Sequence, residues 1–290
     1  MATSDVTQGL TADVYGQLHP VETDEMIAQK LKQFEEELEK LPQDQKHGLQ
    51  QAQEKCPAEL TNEFKLMFLR SEVFNADLAA KRYAHYWDKR VEICGPEKAF
   101  LPLTLDGALR DDEVALKIGF VNYLAGCSDP HGRAILYVLP GNQDKTKYTR
   151  ESMGRAVWYV IHAALEEMPE AQKHGIIFMA HPAGAKLAQF DRAMMKVVLS
   201  AIQGTLPVRL SAFHICQPPA FFKIILPIAK LFMSERTKKR LCIHFGSTAK
   251  ICEKLTKTYG LTKANIPQTL GGDAKVDTPA WIETRRAAGK

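Results

Sequence analysis

The chain has 290 residues, 45% hydrophobic and 25% charged, and a net charge of +4. It is long enough for a sizeable core in one or two domains, and its charge excess is too small to argue for a nucleic-acid binder. Six cysteines scattered without CxxC spacing fit reduced thiols better than a disulfide framework or a zinc site, and the opening MATSDVTQGL lacks the basic start and apolar core of a secretory signal, so a cytoplasmic protein is expected.

Residues 1–21 are polar and contain Gly and Pro, and are expected to be a flexible leader. Thr23 followed by Asp24 and Glu25 is a helix start, and Ile27, Leu31, Phe34, Leu38 and Leu41 then form one apolar stripe at spacings of three and four. A second helix is expected from Pro57 to Arg70. A third starts after the cap Asn75, buries Leu78, Ala79, Tyr83, Tyr86, Trp87 and Val91, and stops at Gly95-Pro96. Residues 22–96 thus read as a helical domain.

The texture then changes. GFVNYLAG and RAILYVLPG flank the turn-forming Cys127–Gly132, which predicts a two-stranded hairpin. A helix over 149–168, a strand Ile176–Ala180, a helix over 187–203, a strand Arg209–Cys216, a strand Leu241–Phe245 and a helix over 248–258 follow. This alternation predicts a mainly parallel sheet with crossover helices, in a domain spanning 100–273 with a tail at 274–290. Between the last two strands, Pro218-Pro219 leads into the nearly wholly apolar segment Ala220–Met233. It is too short to span a bilayer, which takes about 20 residues. From Lys223 to Lys257, nine cationic residues face two acidic ones, with Arg236, Lys238, Lys239 and Arg240 closely spaced.

Motifs for chemistry are sparse. GxGxxG after a strand, GxxxxGK[ST], GxSxG and HExxH are all missing, and Gly271-Gly272 reads as a turn. His181, at the end of the strand Ile176–Ala180, has the position of a possible base but is better read as structural. His214 and His244 are expected to be neutral core residues. Asp111-Asp112-Glu113 reads as an acidic helix start, not a metal site. No enzymatic activity, cofactor or metal is expected.

Three segments together resemble the CRAL-TRIO lipid-binding family: FKLMFLRSEVFNADLAAKRYAHYWDKR (64–90), GRAILYVLPG (132–141), and the run from HGIIFMAHPAG (174–184) through LPVRLSAFHICQPPAFF (206–222) to IPQTLGGD (266–273). The resemblance implies an α/β fold in which an N-terminal helical bundle packs on a mixed, mainly parallel sheet, with helices enclosing an apolar lipid cavity under a mobile gate helix. The gate would be 219–233, where Lys223 and Lys230 share one face and Pro227 loosens the helix. An ordinary core helix is the bland alternative. Lining residues implied are Met194, Val197, Val198, Phe213, Ile215, Phe221, Phe222, Ile225, Leu226, Ala229 and Phe232. SAFHIC is apolar on both faces, so the alternating neighbours of Phe213 and Ile215 remain open. The resemblance further implies a soluble lipid-transfer protein that holds one phospholipid, sterol-like or isoprenoid ligand. Arg236, Lys238, Lys239 and Arg240 would meet an anionic membrane surface, including phosphoinositide headgroups as in the tocopherol-transfer branch. A membrane-recruited module without lipid exchange is the alternative. Three departures stand out: Glu72 replaces the second basic residue of the FLRAR-like motif, Val208 stands where the phosphatidylinositol-transfer branch has Glu, and His181 stands where the family has the Asp of Asp-x-x-Gly, so phosphatidylinositol held in the cavity by the usual headgroup contacts is not expected.

Overall fold

A computed structural model describes residues 5–290. Four helices come first: α1 (Asp24–Lys40), α2 (His47–Lys55), α3 (Asn62–Ser71) and α4 (Ala76–Cys94). The side chains of Thr23, Thr61 and Asn75 accept hydrogen bonds from the backbone N–H groups of Met26, Phe64 and Leu78. Each satisfies a donor that the helix leaves unpaired, worth about 1 kcal/mol. Their inner faces meet in an aromatic cluster in which Tyr83 takes Phe34 and Phe68 edge-on at 5.4 and 5.1 Å. The helix expected from Pro57 begins only at Asn62, after a 3-10 turn at Pro57–Glu59. The unforeseen α2 is mostly polar and buries only Gly48, Leu49 and Ala52. It is held by proximity to α4, where a Cβ on Gly48 would fall 2.6 Å from the Asp88 nitrogen.

After the short α5 (Glu113–Lys117) the chain builds a five-stranded sheet: β1 (Val121–Ser128), β2 (Ala134–Val138), β3 (Ile176–Ala180), β4 (Leu210–Cys216) and β5 (Leu241–His244), in that spatial order. β1 and β2 are the antiparallel pair; every other pairing is parallel. Crossovers are made by α6 (Arg150–Glu167) with α7 (Pro169–His174), by α8 (Arg192–Gly204), and by α9 (Phe222–Leu231) with α10 (Glu235–Lys238). α11 (Thr248–Tyr259) and α12 (Thr278–Ala287) follow. Because side chains alternate along a strand, the sheet has two distinct apolar faces. Leu136, Val138, Phe178, Ala180 and Phe213 point one way, and Ile135, Tyr137, Ile177, Met179, Ala212 and Cys216 pack with Ile251, Cys252 and Leu255 of α11 on the other. The helical bundle joins the first side through α4 and α6, where Tyr86 stacks on Trp158 at 5.2 Å.

Both ends correct the sequence expectation. The described part of the leader, residues 5–21, is docked across the sheet instead of hanging loose. Tyr15 stacks on Tyr259 at 5.5 Å and its hydroxyl reaches His214 Nε2 at 3.2 Å. Asp13 joins Asp129, at 2.6 Å, as a second carboxylate on the fully buried Arg133. The expected tail contains α12, whose Trp281 and Ile282 are buried and whose Arg285 donates to Tyr159 Oη at 3.0 Å and Glu166 Oε2 at 2.9 Å.

Candidate functional site, an apolar cavity under a short helix

The site begins where β4 ends. Gln217 adopts a left-handed backbone, φ +53°, which costs a non-glycine residue about 1–2 kcal/mol. Its side chain holds it there: Oε1 bonds His181 Nε2 at 3.0 Å, and Nε2 donates to the Gly246 carbonyl at 3.2 Å. The other His181 nitrogen meets the Tyr137 hydroxyl at 2.8 Å. Burial lowers the pKa of this imidazole. His181 therefore serves a polar network at the strand ends, and among the described residues no carboxylate bonds it.

Pro218-Pro219 then turns the chain into α9, which is shorter than the expected 219–233. Ile225 and Ala229 point inward, with Phe221, Phe222 and Leu226 half-buried beside them. The outer face presents Lys223, Pro227 and Lys230 together with Ile224 and Leu231, which are 61% and 76% exposed. Pro227 has no N–H, so the carbonyl one turn earlier loses its helical donor. α9 packs chiefly on α8, through Leu199, Ala229 and Met233. Its far end is tied by Gln203, whose Nε2 donates to the Phe232 carbonyl at 2.8 Å.

Under α9 lies an empty volume of about 1070 Å³, counting the part that opens to solvent. Val138, Phe178, Ala180, Phe213 and Ile215 form its floor, Met194, Met195, Val198 and Leu199 its wall, and Phe221, Phe222, Ile225, Leu226 and Ala229 its roof. Of the polar residues at its rim, Gln189 and Asp191 are engaged with the protein and Lys186 is exposed. Asp191 caps α8 through the N–H groups of Ala193 and Met194 at 2.9 and 3.0 Å. Gln189 Nε2 donates to the carbonyls of Gly141 and Gln143 at 2.6 and 3.0 Å. Such a space favours hydrocarbon and offers little to hold a polar substrate.

Of the residues singled out by sequence, Met194, Val198, Phe213, Ile215, Phe221, Phe222, Ile225, Leu226 and Ala229 lie on this wall. Two do not. Val197, the next residue on α8, turns toward α6, its Cγ1 3.8 Å from where a Cβ on Gly154 would lie. Phe232 sits past the end of α9 with its ring under the Arg192 guanidinium at 5.4 Å. The face of β4 left open is settled by register: Phe213 pairs with Phe178 and Ile215 with Ala180, placing all four on the cavity side. Sequence reasoning missed Phe178, Ala180 and Val138, which that register would have supplied, and Phe120, Phe190, Met195 and Met233, for which no pattern pointed inward.

The four cations do not form one open patch. Lys239 is exposed, and Lys238 pairs with Glu235 at 2.7 Å. Arg236 reaches Glu72 at 3.2 Å. Arg240 turns inward and donates to the Gly16 carbonyl at 3.3 Å. With Arg82 and Arg209 these two arginines line a second, smaller hollow.

The sequence profile of the CRAL/TRIO domain matches residues 118–272, the segment that carries the sheet, the cavity and α9. Clavesin-2 of Rattus norvegicus is 27% identical over 184 residues, covering 62% of this chain and 54% of its own length. An alpha-tocopherol transfer protein-like protein of Mus musculus is 29% identical over 226 residues, covering 77% of this chain and 62% of its own. The chain thus spans little more than half the length of the curated relatives it matches. The crystal structure of Sfh5 superposes with a TM-score of 0.54 over 93% of this chain and 100% of that one, at 13% identity, a likeness of fold alone. With the profile covering more than half of its residues, and its sheet and helices arranged as described, the chain belongs to the CRAL/TRIO domain family.

Proposed function

We propose that the protein binds one hydrophobic lipid in the cavity beneath α9 and exchanges it at an anionic membrane surface, with α9 as the gate. The observation that carries this reading is a mostly apolar space roofed by a short, proline-interrupted helix that packs chiefly on one neighbour. Lifting α9 in water would expose the inner residues Phe221, Phe222, Ile225 and Leu226, at about 1.5–3 kcal/mol for each fully exposed side chain. At a bilayer the same groups enter an apolar phase, so opening is coupled to docking. The outer face suits that surface: Ile224 and Leu231 stand out of α9 between Lys223 and Lys230, and Phe245, 75% exposed, follows β5. Apolar residues flanked by cations are the pattern of an interfacial helix, and each nearby cation adds roughly 1 kcal/mol of attraction to anionic lipid. Among the described residues no helix is long and apolar enough to cross a membrane, and the association proposed is peripheral.

The ligand's chemistry is a long or polycyclic hydrocarbon body, as in a phospholipid, a sterol-like molecule or an isoprenoid. The polar contact with the membrane falls to Lys239 and to the arginine hollow beside α10, which we read as a seat for a headgroup phosphate. Transfer of a fluorescent lipid between donor and acceptor vesicles tests the exchange. The rate should rise in proportion to protein and should fall when Ile224 and Leu231 are both replaced by Ser. Vesicle binding without any transfer would favour the membrane-recruited module and overturn the exchange reading.

A further inference from the structure

The smaller hollow lies between the bundle and the start of β4 and holds about 340 Å³ of empty space, counting the part that opens to solvent. Arg82 of α4, Arg209 just ahead of β4, Arg236 of α10 and Arg240 line it, and Arg82 and Arg209 are only 6% and 4% exposed. Backbone carbonyls take part of their donor capacity: Ile202 from Arg82 at 2.6 Å, Lys173 and Leu18 from Arg209 at 3.0 and 2.6 Å. The Nε–H groups of Arg82, Arg209 and Arg240 are buried and meet no acceptor. Orphaned donors of this kind are rare inside proteins and costly to keep. Burial, reinforced by the charges of Arg236 and Arg240, lowers the pKa of Arg209 to about 9.

Among the described residues one carboxylate pairs with any of the four. Glu72, at the C-terminal end of α3, accepts from Arg82 Nη1 with one oxygen and from Arg236 Nη1 at 3.2 Å with the other. It bridges a buried guanidinium and a half-exposed one as two oxygens of a phosphate would. We propose that Glu72 is a tethered competitor, a carboxylate that fills part of the arginine seat and must be displaced before a phosphate-class anion can bind there. The inference rests on reading the hollow as the headgroup seat. Four guanidinium groups facing one carboxylate leave room in charge for a second anion, and the three orphaned Nε–H groups are donors that Glu72 does not reach. An incoming phosphate would replace Glu72 as the counter-charge of buried Arg82 and bring further acceptors close to guanidinium groups whose Nε–H donors now have none. Surfaces rich in multiply charged phosphate would therefore dislodge Glu72, and singly charged lipid would do so poorly. Arg236 and Arg240 follow α9 closely in the chain, so occupation of the seat is felt next to the gate.

The experiment compares the wild type with Glu72→Gln, which keeps an acceptor for Arg82 but removes the charge. A second variant, Glu72→Gln with Arg82→Met, removes the buried cation as well and folds without needing a counter-ion. Thermal melts are run with inorganic phosphate against chloride at equal ionic strength. Co-sedimentation uses phosphatidylcholine vesicles with and without phosphoinositide. Glu72→Gln should bind the anionic vesicles roughly fivefold more tightly, the effect of one unit of charge near such a surface. Phosphate should raise its Tm more than it raises that of the wild type. The double variant should also exceed the wild type in its phosphate shift, by less because one guanidinium is gone. A gain with phosphate but not with vesicles would assign the seat to a free anion and leave the competition standing. Equal phosphate shifts and equal vesicle binding in all three proteins, with anionic vesicles still preferred, would overturn the competition and leave the membrane reading intact. Indifference of all three proteins to both phosphate and vesicle charge would sink the headgroup seat itself, and the competition with it.

Discussion

Replacing Val198 by Trp separates a cavity from an ordinary core, because the two give opposite signs. Val198 lies on the α8 wall of the empty space, opposite the sheet. An indole buries roughly 150–250 Å², on the order of 100 Å² more than the isopropyl group it replaces. At about 25 cal/mol per Å² this is worth up to about 2.5 kcal/mol, an upper bound because the unfolded chain already shields part of that area. Val and Trp differ little in helix propensity, so the backbone term is small. Were the space filled by packed side chains, the same insertion would force rotamers and backbone to move and would cost about 1–3 kcal/mol. Urea denaturation of delipidated protein reads the difference. Val198→Trp should be as stable as the wild type or more so, with unchanged m, and should take up less lipid from vesicles. A loss of 1 kcal/mol or more at unchanged m would refute the reasoning, since it would mean that no room exists beside Val198.

Three further predictions concern the root of the gate, the docked leader and the buried histidines. Gln217→Gly relieves the left-handed strain but removes the side-chain bonds to His181 and Gly246. It should lower stability by about 1 kcal/mol and speed lipid exchange severalfold; an unchanged exchange rate would place the pivot of α9 elsewhere. Asp13→Asn removes one of the two carboxylates, Asp13 and Asp129, that pair with buried Arg133, and should cost about 1.5 kcal/mol in denaturation, the level of one hydrogen bond to a charged group, whereas a cost below about 0.5 kcal/mol, the level of an ordinary surface substitution, would mean the leader is not held by this pair. His214 is fully buried between Tyr15 and His244, and burial, with the charges of His244 and Lys254, lowers its pKa from 6.5 to about 3. The unfolded chain therefore takes this proton first as pH falls, and stability declines from pH 6.5 toward pH 3, by about 2 kcal/mol at pH 5. His214→Phe should flatten that part of the profile, and an unaltered slope would contradict the neutral, buried imidazole.

What could be read from the sequence was what short-range pattern encodes. The strand Ile176–Ala180 was located to the residue because an apolar run stands between Gly175 and Pro182. The α4 cap at Asn75 and the break before the gate at Pro218-Pro219 were legible for the same reason. Features held by distant partners were not. Nothing near Asp13 or Tyr15 announces Arg133 or Tyr259, which are more than a hundred residues away. α2 lacks an apolar stripe, and α12 lies in what reads as a polar tail. Within the site, Val197 and Val198 are equally apolar, and about 100° of helical rotation sends one to α6 and the other to the cavity. Likewise Arg240 looks like part of a surface cluster in sequence, but the chain passing at Gly16 draws it inward. Glu72 was noticed as a departure from the family motif, yet its place among four arginines required the fold.

Native mass spectrometry of the purified protein after incubation with mixed-lipid vesicles tests the binding claim most directly. The cavity under α9 predicts a single lipid adduct at one-to-one stoichiometry, reduced or lost in Val198→Trp. Protein that stays free of lipid across vesicles of differing composition would contradict it.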